Sequence, residues 1–170
     1  MYCLPKKGST ISLSNREVDF VKHLTEKRTE QNIKAGNHHS PPGIVHYQNE
    51  LIGLFGEYSF LKMVGYKNIS KYPFVFEQKI FSANKQNICD ISIPGLELEV
   101  RTTSENRDGR RLGFSKKELD DKVGTIFVLM HFNKKNLTTQ YKGHYIIHEK
   151  TIKETQLWDP RYYLDSCYLR

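Results

Sequence analysis

Asp90, Glu99 and Arg101 are the residues whose types and spacing could do chemistry. They lie in NICDISI, residues 87–93, and LELEVRTT, residues 96–103, two alternating runs separated by Pro94-Gly95. With Pro94-Gly95 at the centre of a symmetric tight turn, Ile93 faces Leu96, Ser92 faces Glu97 and Ile91 faces Leu98. The same register sets Asp90 opposite Glu99 and Ile88 opposite Arg101. A Pro-Gly centre suits a type II turn, and a bulge would break the register. Alternation gives one apolar face, with Cys89, Ile91, Ile93, Leu96, Leu98 and Val100. The other face carries Ile88, Asp90, Ser92, Glu97, Glu99, Arg101 and Thr103. Opposed residues have Cβ atoms roughly 4.5–5.5 Å apart, where like charges destabilise a sheet. Removing one carboxylate should therefore relieve the fold. A bound hard cation such as Mg²⁺ is another remedy, because both carboxylates offer oxygen ligands. The alternative is a solvated sheet edge on which Arg101 simply pairs with the carboxylates.

The elements around this hairpin follow from periodicity. Ser14-Asn15-Arg16-Glu17 is a capping-box pattern, and the spacing predicts a helix with Val18, Val21 and Leu24 on one face, ending near Ala35-Gly36. Residues 37–43, NHHSPPG, read as a loop. Tyr47, Leu51, Leu54, Tyr58 and Leu61 predict a second helix from about 47 to 64, with Gly65 as its C-cap. Glu57 lies at the margin of that helix's apolar face, where a carboxylate is costly. Strands are expected at 72–80, 87–93, 96–103, 125–132 and 141–148, the fourth apolar enough to be central. A second capping box at Ser115 predicts a short helix to Lys122. Residues 1–13 read as a tail or edge segment, and the aromatic stretch from Trp158 onward as irregular.

Composition bounds the partners. Lys and Arg number 26 against 19 Asp and Glu, a net charge of +7, which favours an anionic partner. Arg107, Arg110, Arg111, Lys116 and Lys117 crowd the segment after the second hairpin strand. Beside the carboxylates this run reads as a phosphate-contacting edge; by itself it would be a solvated loop. His38 and His39 fit no zinc spacing, and His144 and His148 read as strand residues. Tyr162, Tyr163 and Tyr168 could stack on bases, or pack on the domain. Three scattered cysteines form neither a disulfide framework nor a zinc ribbon, so a reducing cytoplasm is expected. The opening MYCLPKKGST has no apolar h-region, no secretory leader is expected, and no run approaches a membrane span. The chain of 170 residues is expected to form one domain overall, with 1–46 an N-terminal extension carrying one helix and 47–170 an α/β core with a C-terminal tail.

Asp90, Glu99-Val100-Arg101 and Glu57 within GLFGEYSFLKMVGY together resemble the PD-(D/E)XK nuclease superfamily, the restriction-endonuclease-like fold. Asp90 matches its Asp, Glu99-Val100-Arg101 its E-x-K with Arg for Lys, and Glu57 its helical Glu. The likeness covers about residues 47–148, and the wording is similar to small phage or prophage members. It implies a mixed central sheet flanked by helices, with an αβββαβ core and here an extra N-terminal helix. It also implies Mg²⁺- or Mn²⁺-dependent hydrolysis of phosphodiester bonds, in DNA ahead of RNA. Asp90, Glu99 and the Val100 carbonyl would hold the metal, and Glu57 would complete or orient its shell. Arg101 could supply charge but no general base. A catalytically silent nucleic-acid-binding or phage accessory protein is the alternative. Monomer or homodimer stays open.

Overall fold

The computed structural model describes residues 2–34, 44–75, 89–104, 111–115, 124–146, 157–158 and 161–165. It is an α/β fold. Strand β1 (Thr10–Ser12) leads into helices α1 (Asn15–Lys34) and α2 (Ile44–Met63), then a 3-10 turn at Ile69–Lys71. Strands β2 (Ile91–Ile93), β3 (Leu96–Ser104), β4 (Arg111–Ser115), β5 (Ile126–Asn133) and β6 (Thr138–Ile146) follow. β7 (Leu157–Trp158) and β8 (Arg161–Asp165) complete the described strands.

The main sheet is mixed, in the order β1-β6-β5-β3-β2. β3 and β5 run parallel; the other neighbours are antiparallel. The central place expected for the 125–132 run is that of β5, whose residues Phe127 to Met130 are all fully buried. Its ladder with β6 shifts register at Leu129/Met130, where Lys142 is the extra residue. Segment 1–13 supplies the edge strand β1.

Local chemistry explains the helices. Ser14 Oγ and N–H both donate to Glu17 Oε2, at 2.8 and 2.7 Å, and Glu17 N–H returns a longer bond to Ser14 Oγ, completing the capping box of α1. α2 starts three residues earlier than its periodicity suggests. It ends in a Schellman motif, with Tyr66 N–H donating to Leu61 O and Gly65 N–H to Lys62 O. Val18 and Val21 of α1, Leu54, Phe55, Tyr58, Phe60 and Leu61 of α2, and Leu98, Val100, Val128 and Met130 of the sheet share one core. Gly56 marks where α2 comes closest to the sheet: a Cβ there would collide with Thr102 Oγ1 on β3. A fully buried hydrogen bond from Ser59 to Thr139, 3.0 Å, ties α2 to β6.

Several expected elements differ. Tyr72 to Val75 are not strand; residues 76–80 lie outside the described residues. Tyr72 instead uses its side chain, accepting from Ser92 N–H at 2.9 Å and donating to the Asp90 carbonyl at 3.2 Å. A phenol thus takes up backbone groups that a neighbouring strand would pair. β2 begins at Ile91, so Cys89 and Asp90 precede it. Ser115 ends strand β4 rather than capping a helix; 116–122 lie outside the described residues. The aromatic stretch near the C-terminus is not irregular throughout: β7 and β8 form a hairpin, and with β4 a second, three-stranded sheet. The basic run thereby contributes a strand, because Leu112 and Phe114 alternate with small residues against Leu164 and Tyr162. The loop at 37–43, with His38 and His39, and also His148 and Tyr168, lie outside the described residues.

Candidate active site

The hairpin has the register its sequence requires. Ile91 pairs Leu98, Ser92 pairs Glu97 and Ile93 pairs Leu96. Gly95 has φ 80°, the positive value that the third position of a type II turn demands. One step beyond the ladder the backbone pairing stops and a side chain replaces it. Asp90 Oδ2 accepts a hydrogen bond from Val100 N–H at 2.9 Å. Extended, the register would pair Val100 with Cys89. The Asp90 carboxylate therefore lies toward the backbone of β3 rather than beside the Glu99 side chain, and an N–H donor compensates its charge. Within a strand the N–H and C=O of one residue point the same way. The Val100 carbonyl accordingly faces the edge that Asp90 occupies.

Glu99 is buried, at 3% exposure, although its neighbour on the same face, Glu97, is exposed. Alternation explains the burial. Leu98, Val100 and Thr102 turn toward α2, so Glu99, Arg101 and Thr103 leave the opposite face of β3. That face is also apolar here, because Phe127 and Leu129 of β5 lie beside Glu99 and Arg101 and are fully buried. Arg101 Nη2 is 3.9 Å from Glu99 Oε2, and its guanidinium lies over the Phe127 ring, 5.8 Å from the centroid. These neighbours contradict a fully solvated charged face.

Glu57 is buried on α2, at 5% exposure, and its partner is a residue outside the sequence-derived set. Arg28 of α1 donates from Nη1 to Glu57 Oε1 at 2.8 Å, and its Nε is 3.6 Å from Glu50 Oε2. Asn32, one turn on, donates to Glu50 Oε1 at 3.0 Å. Burial pushes the Glu57 carboxyl up to about 7; Arg28 opposes this, while Asp90 and Glu50 add to it. Burial alone would lower the Arg28 guanidinium, but Glu57, Glu50 and Asp90 outweigh it and hold it above its ordinary value. The two shifts agree once the charges are counted: Arg28 faces three carboxylates, and Glu57 faces one guanidinium and two carboxylates. Burial also raises the Tyr72 phenol to about 12, against its bond from Ser92 and with help from Glu57 and Asp90.

The structure thus brings Asp90 into electrostatic reach of Glu57, Arg28, Glu50 and Tyr72, and places Glu99 and Arg101 across β3. No family model, no curated protein and no solved structure matches the chain. What the site can do therefore rests on its own chemistry. Its carboxylates and carbonyl are the donors a hard cation prefers. In geometry, no three His, Cys, Asp or Glu side chains converge as a metal-holding group among the described residues. Asp90 and the Val100 carbonyl fit such an ion, with Glu99 on the adjoining residue; Glu57 is committed to Arg28.

Of the basic run, Arg111 opens β4, while Arg107, Arg110, Lys116 and Lys117 lie outside the described residues. His144 Nδ1 is 2.8 Å from the Tyr141 hydroxyl, a pairing within the sheet away from the carboxylates. Arg28 had a readable signal. Val18, Val21, Thr25, Arg28 and Asn32 step by three and four residues, so one inward stripe of α1 turns from apolar to polar along its length. Glu50 and Glu57, two turns apart on one face of α2, supply the opposite charge.

Proposed function

We propose that this chain is a divalent-metal-dependent nuclease that hydrolyses phosphodiester bonds, in DNA ahead of RNA, within a cytoplasm. The observation that carries the reading is the Asp90 carboxylate held against the Val100 N–H, on the residue between buried Glu99 and Arg101. A restriction-endonuclease-like core accords with a helix on a mixed sheet whose hairpin leads into a parallel strand. Asp90, Glu99 and the Val100 carbonyl would hold Mg²⁺ or Mn²⁺. Such an ion lowers the pKa of bound water and neutralises charge on a phosphate. Arg101 would stabilise that charge by hydrogen bonds; a guanidinium does not serve as a general base in proteins. The segment 107–117 would contact the phosphate backbone, giving binding that weakens steeply with salt. The net charge of +7 supports an anionic partner of this kind. No described helix is long and apolar enough to cross a membrane.

A second reading is a silent nucleic-acid-binding protein on the same fold. It is favoured by Arg101 in place of Lys and by the engagement of Glu57 with Arg28. Incubating supercoiled plasmid and single-stranded DNA with Mg²⁺, Mn²⁺ or EDTA separates the two. The nuclease reading expects nicked or shortened DNA with metal alone. Binding without cleavage under every metal would transfer the function to the second reading.

A further inference from the structure

α1 is held to the rest of the molecule in two different ways along its length. Its first half is anchored by apolar burial: Val18 and Val21 lie in the core and Phe20 packs on Tyr58. Its last two turns are anchored by polar contacts, Arg28 to Glu57 and Glu50, and Asn32 to Glu50. Ile33, the large apolar residue in that half, is 41% exposed. Nothing apolar among the described contacts would resist lifting of Arg28 and Asn32. The guanidinium is the positive group in a cluster of three carboxylates, Glu50, Glu57 and Asp90.

Resting on the metal-dependent reading above, we infer that Arg28 is a built-in counter-ion which a divalent cation must displace to engage Glu57, so that the C-terminal half of α1 is a latch on the site. The latch explains why a helical Glu in the metal-site pattern is found paired to a guanidinium. Two cations cannot share the one buried carboxylate without mutual repulsion, and the fixed negative charge is too small to neutralise both. Arg28 therefore costs metal affinity and stabilises the metal-free fold. The metal in turn releases Arg28, Asn32 and the backbone that carries them. Linkage makes the two effects reciprocal.

The test uses Mn²⁺ alone, without nucleic acid, counted by electron paramagnetic resonance at pH 8. Arg28→Met should bind Mn²⁺ roughly tenfold more tightly than the wild type, a modest coupling. Lys62→Met, which breaks the pair with Glu17 away from the cluster, should leave affinity unchanged. Equal or weaker binding by Arg28→Met, with Mn²⁺ still bound by the wild type, would overturn the latch and leave the metal-dependent reading in place. No Mn²⁺ binding by any of the three proteins would overturn both. Hydrogen exchange on the wild type decides the matter even if Arg28→Met fails to fold. Saturating Mn²⁺ should accelerate amide exchange over residues 28–34 and not over 18–24. Unchanged exchange at 28–34 with Mn²⁺ bound would contradict the latch.

Discussion

Glu57 connects burial to pH. A carboxyl whose pKa is raised on folding binds its proton more tightly folded than unfolded. Its contribution to stability is complete below about 4.5 and is lost as pH rises through about 7. That difference corresponds to on the order of 3 kcal/mol. Urea unfolding of the wild type and of Glu57→Gln, which keeps an acceptor for Arg28, should therefore diverge between pH 5 and pH 8. The wild type should lose stability relative to the variant as pH rises; parallel profiles would mean that Glu57 titrates as an ordinary carboxyl. Asp90 reverses an expectation drawn from opposed like charges. Its carboxylate accepts from Val100 N–H, so Asp90→Ala should destabilise the metal-free protein by about 1–2 kcal/mol rather than relieve it. Asp90→Asn, which keeps the acceptor, should lose less. Sequence exposed the cost of Glu57 through its apolar neighbours, and it exposed Asp90 through the hairpin register. It did not disclose what satisfies either group, because Arg28 sits among Lys27, Glu26 and Glu30 and reads as one more charge on a wet helix face.

At the scale of elements, the site depends on how closely α2 lies on β3. Gly56 permits that approach, since Thr102 Cβ would be 2.9 Å from an added Cβ. Gly56→Ala should cost about 1–3 kcal/mol in urea unfolding, the range for overpacking a tight contact. Combining it with Thr102→Ala should recover part of the loss, a coupling read from the double-mutant cycle. The hairpin was legible because its two alternating runs meet at one turn that tolerates Pro then Gly. The strand expected at 72–80 was not, because Tyr72 supplies through its hydroxyl the hydrogen bonds a strand would have supplied through its backbone. Periodicity also could not tell the second buried face of β3 from a wet one. Glu99 is covered because Phe127 and Leu129 stand on a strand 27 positions away in register, at Glu99↔Phe127 to Arg101↔Leu129 minus one.

At the scale of the molecule, the α/β class, the mixed sheet and the central position of β5 follow from hydrophobic patterning alone. The second sheet does not, because its pairing joins Arg111–Ser115 to Arg161–Asp165, segments that separately read as a basic loop and an irregular tail. α1 belongs to the same core as the sheet and also reaches the candidate site through Arg28, so the chain's first helix and its hairpin act on one set of charges. The central claim is that buried Glu99, beside the Asp90–Val100 contact, serves metal-dependent phosphodiester cleavage. The most direct measurement compares Glu99→Gln with Glu97→Gln, its exposed neighbour on the same strand face, on end-labelled DNA in Mn²⁺. Glu99→Gln should lose cleavage by a factor of about 100 or more while Glu97→Gln keeps wild-type rates. Equal cleavage by the two variants, or none by the wild type in any divalent metal, would contradict the account.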